Sequence, residues 1–171
     1  MQQPPLLPEE TLARVTRLAK LDGTSVVILG SVFALMAAAR GETAFAIVGL
    51  LATGAGAFEI HGSGLLRRGK VSGMRWLLVS QPALYFVILG YCALRLMHFE
   101  MPPIPERFQE AFELSAQQVG LSVEDYMRTL NRVSVQILAI ASTIYQGIMT
   151  FYYAKRRAAV EAALAPDSSI A

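Results

Sequence analysis

The hydrophobic residues of this chain are gathered into four long runs, separated by shorter polar segments. The runs without an acidic or basic residue, apart from Glu59 in the second, cover 24–39, 43–66, 76–94 and 133–154. Each approaches the roughly 20 residues that a helix needs to cross a hydrocarbon core about 30 Å thick. A helix also satisfies every backbone donor and acceptor within one segment, as a lipid environment requires. The pattern predicts an all-α integral membrane protein, a four-transmembrane-helix bundle with spans at 24–40, 43–66, 75–97 and 133–155.

Composition agrees with this assignment. The 171 residues have a mean hydropathy of +0.44 and only 16% charged residues, which is too apolar for an ordinary soluble domain. The alternation of period two that a membrane barrel needs is absent. About 20 mostly polar residues precede the first run, whereas a signal peptide begins with a short basic region. We therefore expect residues 1–171 to form a single membrane domain.

The basic residues are distributed unequally between the two sides of the predicted bundle. Ten of the fifteen lie in the N-terminal segment, in the second connection (67–75) and in the tail after the fourth span. The positive-inside rule then places both termini in the cytoplasm and the connection 98–132 outside. We expect the bilayer to be a prokaryotic cytoplasmic (inner) membrane.

The segment 8–22 has the features of an amphipathic helix. Pro8 suits the first position of a helix, and acids follow it, while Leu12, Val15 and Leu18 recur on one face. Gly23 can end such a helix. One interpretation is an interfacial helix lying on the inner leaflet; the other is an ordinary lead-in to the first span.

The connection 98–132 is the only sizeable segment predicted outside the membrane. A short helix is predicted at 105–118, with Phe108 and Phe112 on its apolar side and docked against the bundle or the membrane surface. Ser122 followed by Asp125 resembles a capping box. The fourth helix is therefore expected to continue from about 122 and into the tail, and 166–171 is predicted to be disordered.

Polar or small residues occur at a similar depth in all four spans. Glu59 lies eight residues, roughly 12 Å, from Arg67 at the inner surface. When residues are counted from the same surface, polar residues of the other spans fall at a similar depth. They are Ser31, Gln81, Tyr85, Tyr145 and Gln146. We expect these side chains and Glu59 to form one polar layer.

Helical periodicity indicates where Glu59 points. Glu59 shares a face with Gly49, Gly56 and Ser63, and faces of small residues let membrane helices approach closely. Glu59 should therefore point at protein. His61 is rotated by about 200° from it and is a weaker candidate, as a proton relay. Pro82 leaves a backbone carbonyl without a donor and tends to kink the third span.

Two interpretations of Glu59 remain open at the sequence level. An ionisable group within a span costs at least about 2.5 kcal/mol on insertion scales, which favours a functional role as a cation or proton site. Alternatively, a neutral Glu59 bonded to Gln81 or Gln146 only determines helix register. Tyr152 and Tyr153 are expected to be interfacial anchors or packing residues.

The motifs of common enzymes and cofactor sites are absent. The sequence has no phosphate-binding glycine loop, no CxxC and no HExxH, so we expect no catalytic residues, no metal and no cofactor. A net charge of +2 gives no reason to expect nucleic acid. The leading hypothesis is a homo-oligomeric channel or carrier-like protein with a cation or proton site at Glu59. The alternative is a non-conducting scaffold or accessory subunit that binds another membrane protein through its external loop.

Overall fold

The computed structural model describes residues 7–99, 101 and 104–165, and these residues form five helices. The helices are α1 (Pro8–Ala39), α2 (Thr43–Arg67), α3 (Gly73–Met97), α4 (Glu106–Gln118) and α5 (Val123–Ala163). No strand occurs within these ranges. All the helices except α4 are long and apolar enough to cross a membrane. The prediction of an all-α structure with four helices long and apolar enough to cross a membrane is therefore confirmed for these residues.

The four long helices close into a bundle in which each packs on two others. α1 contacts α2, α2 contacts α3, α3 contacts α5, and α5 returns to α1. Their outer surfaces remain apolar: Leu29, Leu35 and Phe86 are each about 70% exposed. Large exposed aliphatic and aromatic side chains around a bundle are what a hydrocarbon environment accommodates.

The N-terminal segment is not a separate helix. α1 runs without interruption from Pro8 to Ala39, so the prediction of an interfacial helix that ends at Gly23 is wrong. Gly23 stays helical because it lies directly against α2, where a side chain would meet the Gly56 carbonyl oxygen. Val15 and Ala19 are fully buried inside the bundle. The apolar stripe of this segment therefore packs on protein.

The main hydrophobic cluster lies at the end of the bundle that carries the first half of α1. It joins the start of α1 and of α3 to the ends of α2 and α5. Its buried members are Val15, Ala19, Leu66, Met74, Leu77, Met149, Tyr153 and Val160. This cluster closes one end of the bundle over the polar residues described below.

α4 and α5 meet at a tight turn. Gly120, with φ at +69°, follows α4 in the left-handed conformation that glycine adopts without strain. Ser122 then caps α5, because its Oγ accepts a hydrogen bond from the Asp125 backbone N–H at 3.1 Å. α5 is one continuous helix of 41 residues. The predicted disordered tail, 166–171, lies outside the described residues.

Candidate functional site

The side chain of Glu59 is enclosed between α2, α3 and α5. It is 1% exposed, which confirms that it points at protein. Gln81 donates a hydrogen bond from Nε2 to Glu59 Oε1 at 2.9 Å. The hydroxyl of Tyr153 donates to the same oxygen at 2.5 Å. Three helices are thus joined at one carboxyl oxygen.

A second carboxyl group lies beside Glu59. The Asp22 carboxyl is near enough to that of Glu59 for their charges to repel each other, and a side-chain carbon on the adjacent Gly23 would lie 3.1 Å from Glu59 Cβ. Neither carboxyl can donate a hydrogen bond to the other while both are ionised, because an ionised carboxylate has acceptors alone. Tyr145 donates from its hydroxyl to Asp22 Oδ1 at 2.7 Å. The site is therefore a pair of carboxyls with a tyrosine hydroxyl bonded to each.

Glycine contacts between α1 and α2 bring the two carboxyls together. A side-chain carbon on Gly23 would lie 2.9 Å from the Gly56 carbonyl oxygen and 3.1 Å from Glu59 Cβ. One on Gly49 would lie 2.7 Å from the Ala34 backbone nitrogen. Because these distances leave no room for a side chain, the two backbones can approach closely. This contact determines how far α1 slides along α2, and it places Asp22 at the level of Glu59.

Acceptors outnumber donors around this pair. Within the described part of the chain, Asp22 Oδ2 and Gln81 Oε1 are buried and have no hydrogen-bond partner, and the same is true of Gln146 Oε1. A buried acceptor without a donor is costly. A proton, or a cation coordinated by oxygens, is the kind of ligand that satisfies such groups. Asp22, Glu59 and Gln81 are the residues that could hold it.

The other residues of the predicted polar layer lie around this pair or apart from it. Gln146 is buried on the same face of α5 as Tyr153, but no hydrogen bond joins it to Glu59. Ser31 lies farther along α1, with its hydroxyl 3.4 Å from that of Thr53. Tyr85 accepts a hydrogen bond from Thr143 Oγ1 at 3.4 Å.

The candidate relay residue and the candidate kink are both outside the carboxyl pair. His61 is exposed, and its ring packs edge-on against Trp76 with centroids 5.1 Å apart. Pro82 lies one residue beyond Gln81, inside α3, which continues as one helix on either side of it.

The two aromatic residues of α4 differ in burial. Phe108 is 45% exposed, and the Arg107 guanidinium carbon lies 4.7 Å from its ring centroid. Phe112 is half-buried, and Ala116, one turn farther along α4, is fully buried. α4 packs on α5 and makes little or no contact with the other described helices.

Sequence reasoning missed Asp22 and the role of Tyr153. Asp22 lies just before the first apolar run and has no place in the predicted polar layer, and the sequence assigns Tyr153 to an anchor or packing role. A signal for Asp22 was present: Gly23 and Gly30 are seven residues apart, as are Gly49 and Gly56. Pairing these glycines in an antiparallel arrangement aligns Gly23 with Gly56 and Gly30 with Gly49.

Comparison with family models, with curated proteins and with solved structures finds no match for this chain. Within the described residues, no group of three or more histidine, cysteine, aspartate or glutamate side chains is arranged to hold a metal ion.

Proposed function

We propose that this protein is a homo-oligomeric channel or carrier-like protein in which the Asp22–Glu59 pair binds a proton or a cation. The observation that carries the proposal is the surplus of buried acceptors around two adjacent carboxyls. Two carboxyls that lie side by side cannot both be ionised without strong repulsion. Binding one proton or one cation between them relieves that repulsion and gives the pair an exchangeable ligand.

The cost of the arrangement supports a functional role. A single ionisable residue within a span, here Glu59, already costs at least about 2.5 kcal/mol on insertion scales, and a second carboxyl, Asp22, lies beside it just before the first apolar run. If the only purpose were to hold helices in register, an amide at position 59 could make similar bonds without any charge. The carboxyl chemistry therefore requires a reason beyond packing.

Tyr145 supports an oligomeric arrangement. Glu59 is 1% exposed and is bonded to Gln81 and Tyr153 inside one subunit, so a path through a single bundle has little room. The Tyr145 ring, however, is 45% exposed on the outer surface of α5, while its hydroxyl bonds to Asp22. This residue connects the buried pair to a surface that a second copy of the chain could cover. We infer that ligand exchange takes place along that subunit interface.

The distribution of basic residues supports one orientation of the chain in the membrane. Both termini and the 67–75 connection are assigned to the cytoplasm, and α4 to the opposite side, since ten of the fifteen basic residues then lie inside. We infer that the membrane is a prokaryotic cytoplasmic membrane. The acidic face of α4, with Glu106, Glu110 and Glu113, would then face the outside.

A specific observation also favours the second candidate function. Gln81 and Tyr153 both donate to one oxygen of Glu59, which is the arrangement that a purely structural tie between helices needs. In that case the protein is a non-conducting scaffold or accessory subunit, and α4 with its flanking residues binds a membrane partner.

The two functions are separated by Glu59→Gln in purified protein reconstituted into vesicles. The amide keeps the volume and still accepts bonds from Gln81 and Tyr153, but it exchanges no proton. We expect the wild type to dissipate an imposed proton or alkali-cation gradient, and Glu59→Gln to reduce that flux to the background of empty vesicles. Asp22→Asn should do the same. Glu113→Gln, an exposed carboxyl on α4, is the matched control and should leave flux unchanged.

The outcomes are distinguishable. Normal flux in Glu59→Gln, alongside a conducting wild type, would remove the site from the mechanism. Absence of flux in the wild type would favour the scaffold, for which Glu59→Gln should be nearly silent. Glu59→Leu should then weaken assembly by about 0.6 kcal/mol for each of the two lost interhelical bonds.

A further inference from the structure

A groove with a basic margin lies at the end of the bundle that carries the first half of α1. It is formed by the first half of α1, the end of α2 and the end of α5, and its volume is about 590 Å³, within the range of roughly 300–1,000 Å³ typical of small-molecule sites. Leu12, Leu66 and Leu164 supply apolar walls, and Arg17, Lys20 and Arg67 supply positive charge. We call it the basic groove.

The three cations of the basic groove have no partner that neutralises them. Within the described residues, the ion pairs join Arg128 to Glu124 and Arg157 to Glu161, and neither involves the groove. One acid, Glu9, also lines it. Glu9 is eleven residues from Lys20 along α1, a distance of about 16 Å. Arg17 and Lys20 therefore lie at the end of the groove nearer the spans, whereas Arg67, opposite the first turns of α1, lies nearer Glu9.

Arg67 directly follows the apolar run of α2, at the depth of lipid headgroups. The pairing of Gly23 with Gly56 puts Lys20 level with Glu59, roughly 12 Å deeper, and a lysine at such a position extends its side chain toward the headgroups. Arg17 and Lys20 share a helical face with Leu21 and Ile28, both more than half exposed. Farther along α1, toward the middle of the span, that face is therefore an apolar surface in contact with the hydrocarbon region.

We propose that the basic groove binds an anionic phospholipid. Its phosphate lies among Arg17, Lys20 and Arg67, and its acyl chains run along Leu21 and Ile28 into the bilayer. Guanidinium and ammonium groups are strong donors to phosphate oxygens, and basic pockets between spanning helices recognise acidic headgroups. A soluble anion would use the cations but not the adjoining apolar face, which is why a lipid is the occupant we assign.

The proposal is tested by titrating detergent-purified protein with phosphatidylglycerol or phosphatidylcholine and counting bound lipids by native mass spectrometry. We expect the wild type to retain phosphatidylglycerol in preference to phosphatidylcholine. The triple variant Arg17→Gln/Lys20→Gln/Arg67→Gln should lose at least roughly tenfold of that preference. The matched control, Arg68→Gln/Lys70→Gln/Arg75→Gln, removes the same charge from the same end of the bundle, outside the groove. It should keep the preference.

Equal losses in the two triple variants would overturn the proposal, because general attraction to a basic surface would then account for binding. An equal affinity of the wild type for both lipids would also overturn it. A second measurement does not depend on variants: a phosphatidylglycerol carrying a photoreactive group near its headgroup should crosslink to peptides that contain residues 12–21 or 66–69. Crosslinks confined to α3 or α4 would contradict the assignment.

Discussion

At the scale of single residues, two adjacent tyrosines of α5 have opposite surroundings. The Tyr153 ring is fully buried, and its hydroxyl reaches back along α5 to Glu59, as the tilt of helical side chains toward the N-terminus allows. Tyr152 is partly buried, and its hydroxyl is enclosed without a hydrogen-bond partner in the described part of the chain. Replacement by phenylalanine removes one enclosed hydroxyl at either position, and only at Tyr153 does that hydroxyl make a hydrogen bond.

We predict that Tyr153→Phe lowers the free energy of unfolding, whereas Tyr152→Phe does not. The first change removes a hydrogen bond inside the bundle, worth about 0.6 kcal/mol on average and up to about 1.7 kcal/mol among membrane helices. The second removes a buried hydroxyl that makes no bond, so its effect should be close to zero or slightly stabilising. Unfolding in mixed micelles, followed by circular dichroism, measures both.

A Tyr152→Phe variant as unstable as Tyr153→Phe would show that the hydroxyl contact with Glu59 contributes nothing specific. The comparison does not depend on the transport hypothesis, since the bond from Tyr153 to Glu59 is present in either function.

At the scale of helices, glycine contacts decide how α1 and α2 fit together. Gly49 leaves no room for a side chain, whereas a side-chain carbon on Gly54, in the same helix, would meet no atom within 4 Å among the described residues. The two positions share the same helical backbone and differ only in what lies opposite. Their substitution by alanine therefore isolates the contact between the helices.

We predict that Gly49→Ala destabilises the protein by about 1–3 kcal/mol, the usual cost of overpacking. Gly54→Ala should be neutral or stabilising by up to about 1 kcal/mol, because alanine is the better helix former. Because the α1–α2 contact also aligns Asp22 with Glu59, Gly49→Ala should reduce any flux together with stability. Similar unfolding curves for the two variants would contradict the close contact at Gly49.

At the scale of the whole molecule, the charge distribution predicts on which side of the membrane each connection lies. The test places a single cysteine at Gln109 in α4 or at Ser72 between α2 and α3, both exposed, in a chain whose Cys92 is replaced by alanine. A maleimide that cannot cross this membrane is added to intact cells whose outer layer has been made permeable to it. We predict that it labels the cysteine at 109. Labelling of the cysteine at 72 should require disruption of the membrane.

The reverse pattern would reject the threading and place both termini outside. It would also move the basic groove to the outer leaflet, while the internal geometry of the carboxyl pair would be unaffected, since that geometry depends only on contacts within the bundle.

The sequence by itself determined the features that depend on neighbouring residues along the chain. Four spanning helices follow from runs of apolar residues, because the transfer of a segment into lipid depends on its own composition. The cap at Ser122 follows from a local pattern, and the orientation of Glu59 follows from the small residues one or two turns away in α2. Each of these can be read without knowing which helices are neighbours.

Only the tertiary structure decided which polar groups meet. The pairing of Asp22 with Glu59, the contact from Tyr153, the separate position of Ser31 and the continuity of α1 through Gly23 all depend on how far one helix slides along another. That sliding is determined by contacts such as Gly23 with Gly56, between residues 33 positions apart. Counting residues from a presumed membrane surface assigned an approximate depth to each side chain. It could not determine the interhelical register, because helix tilt and long flanking side chains let the membrane surface fall at different positions in different helices.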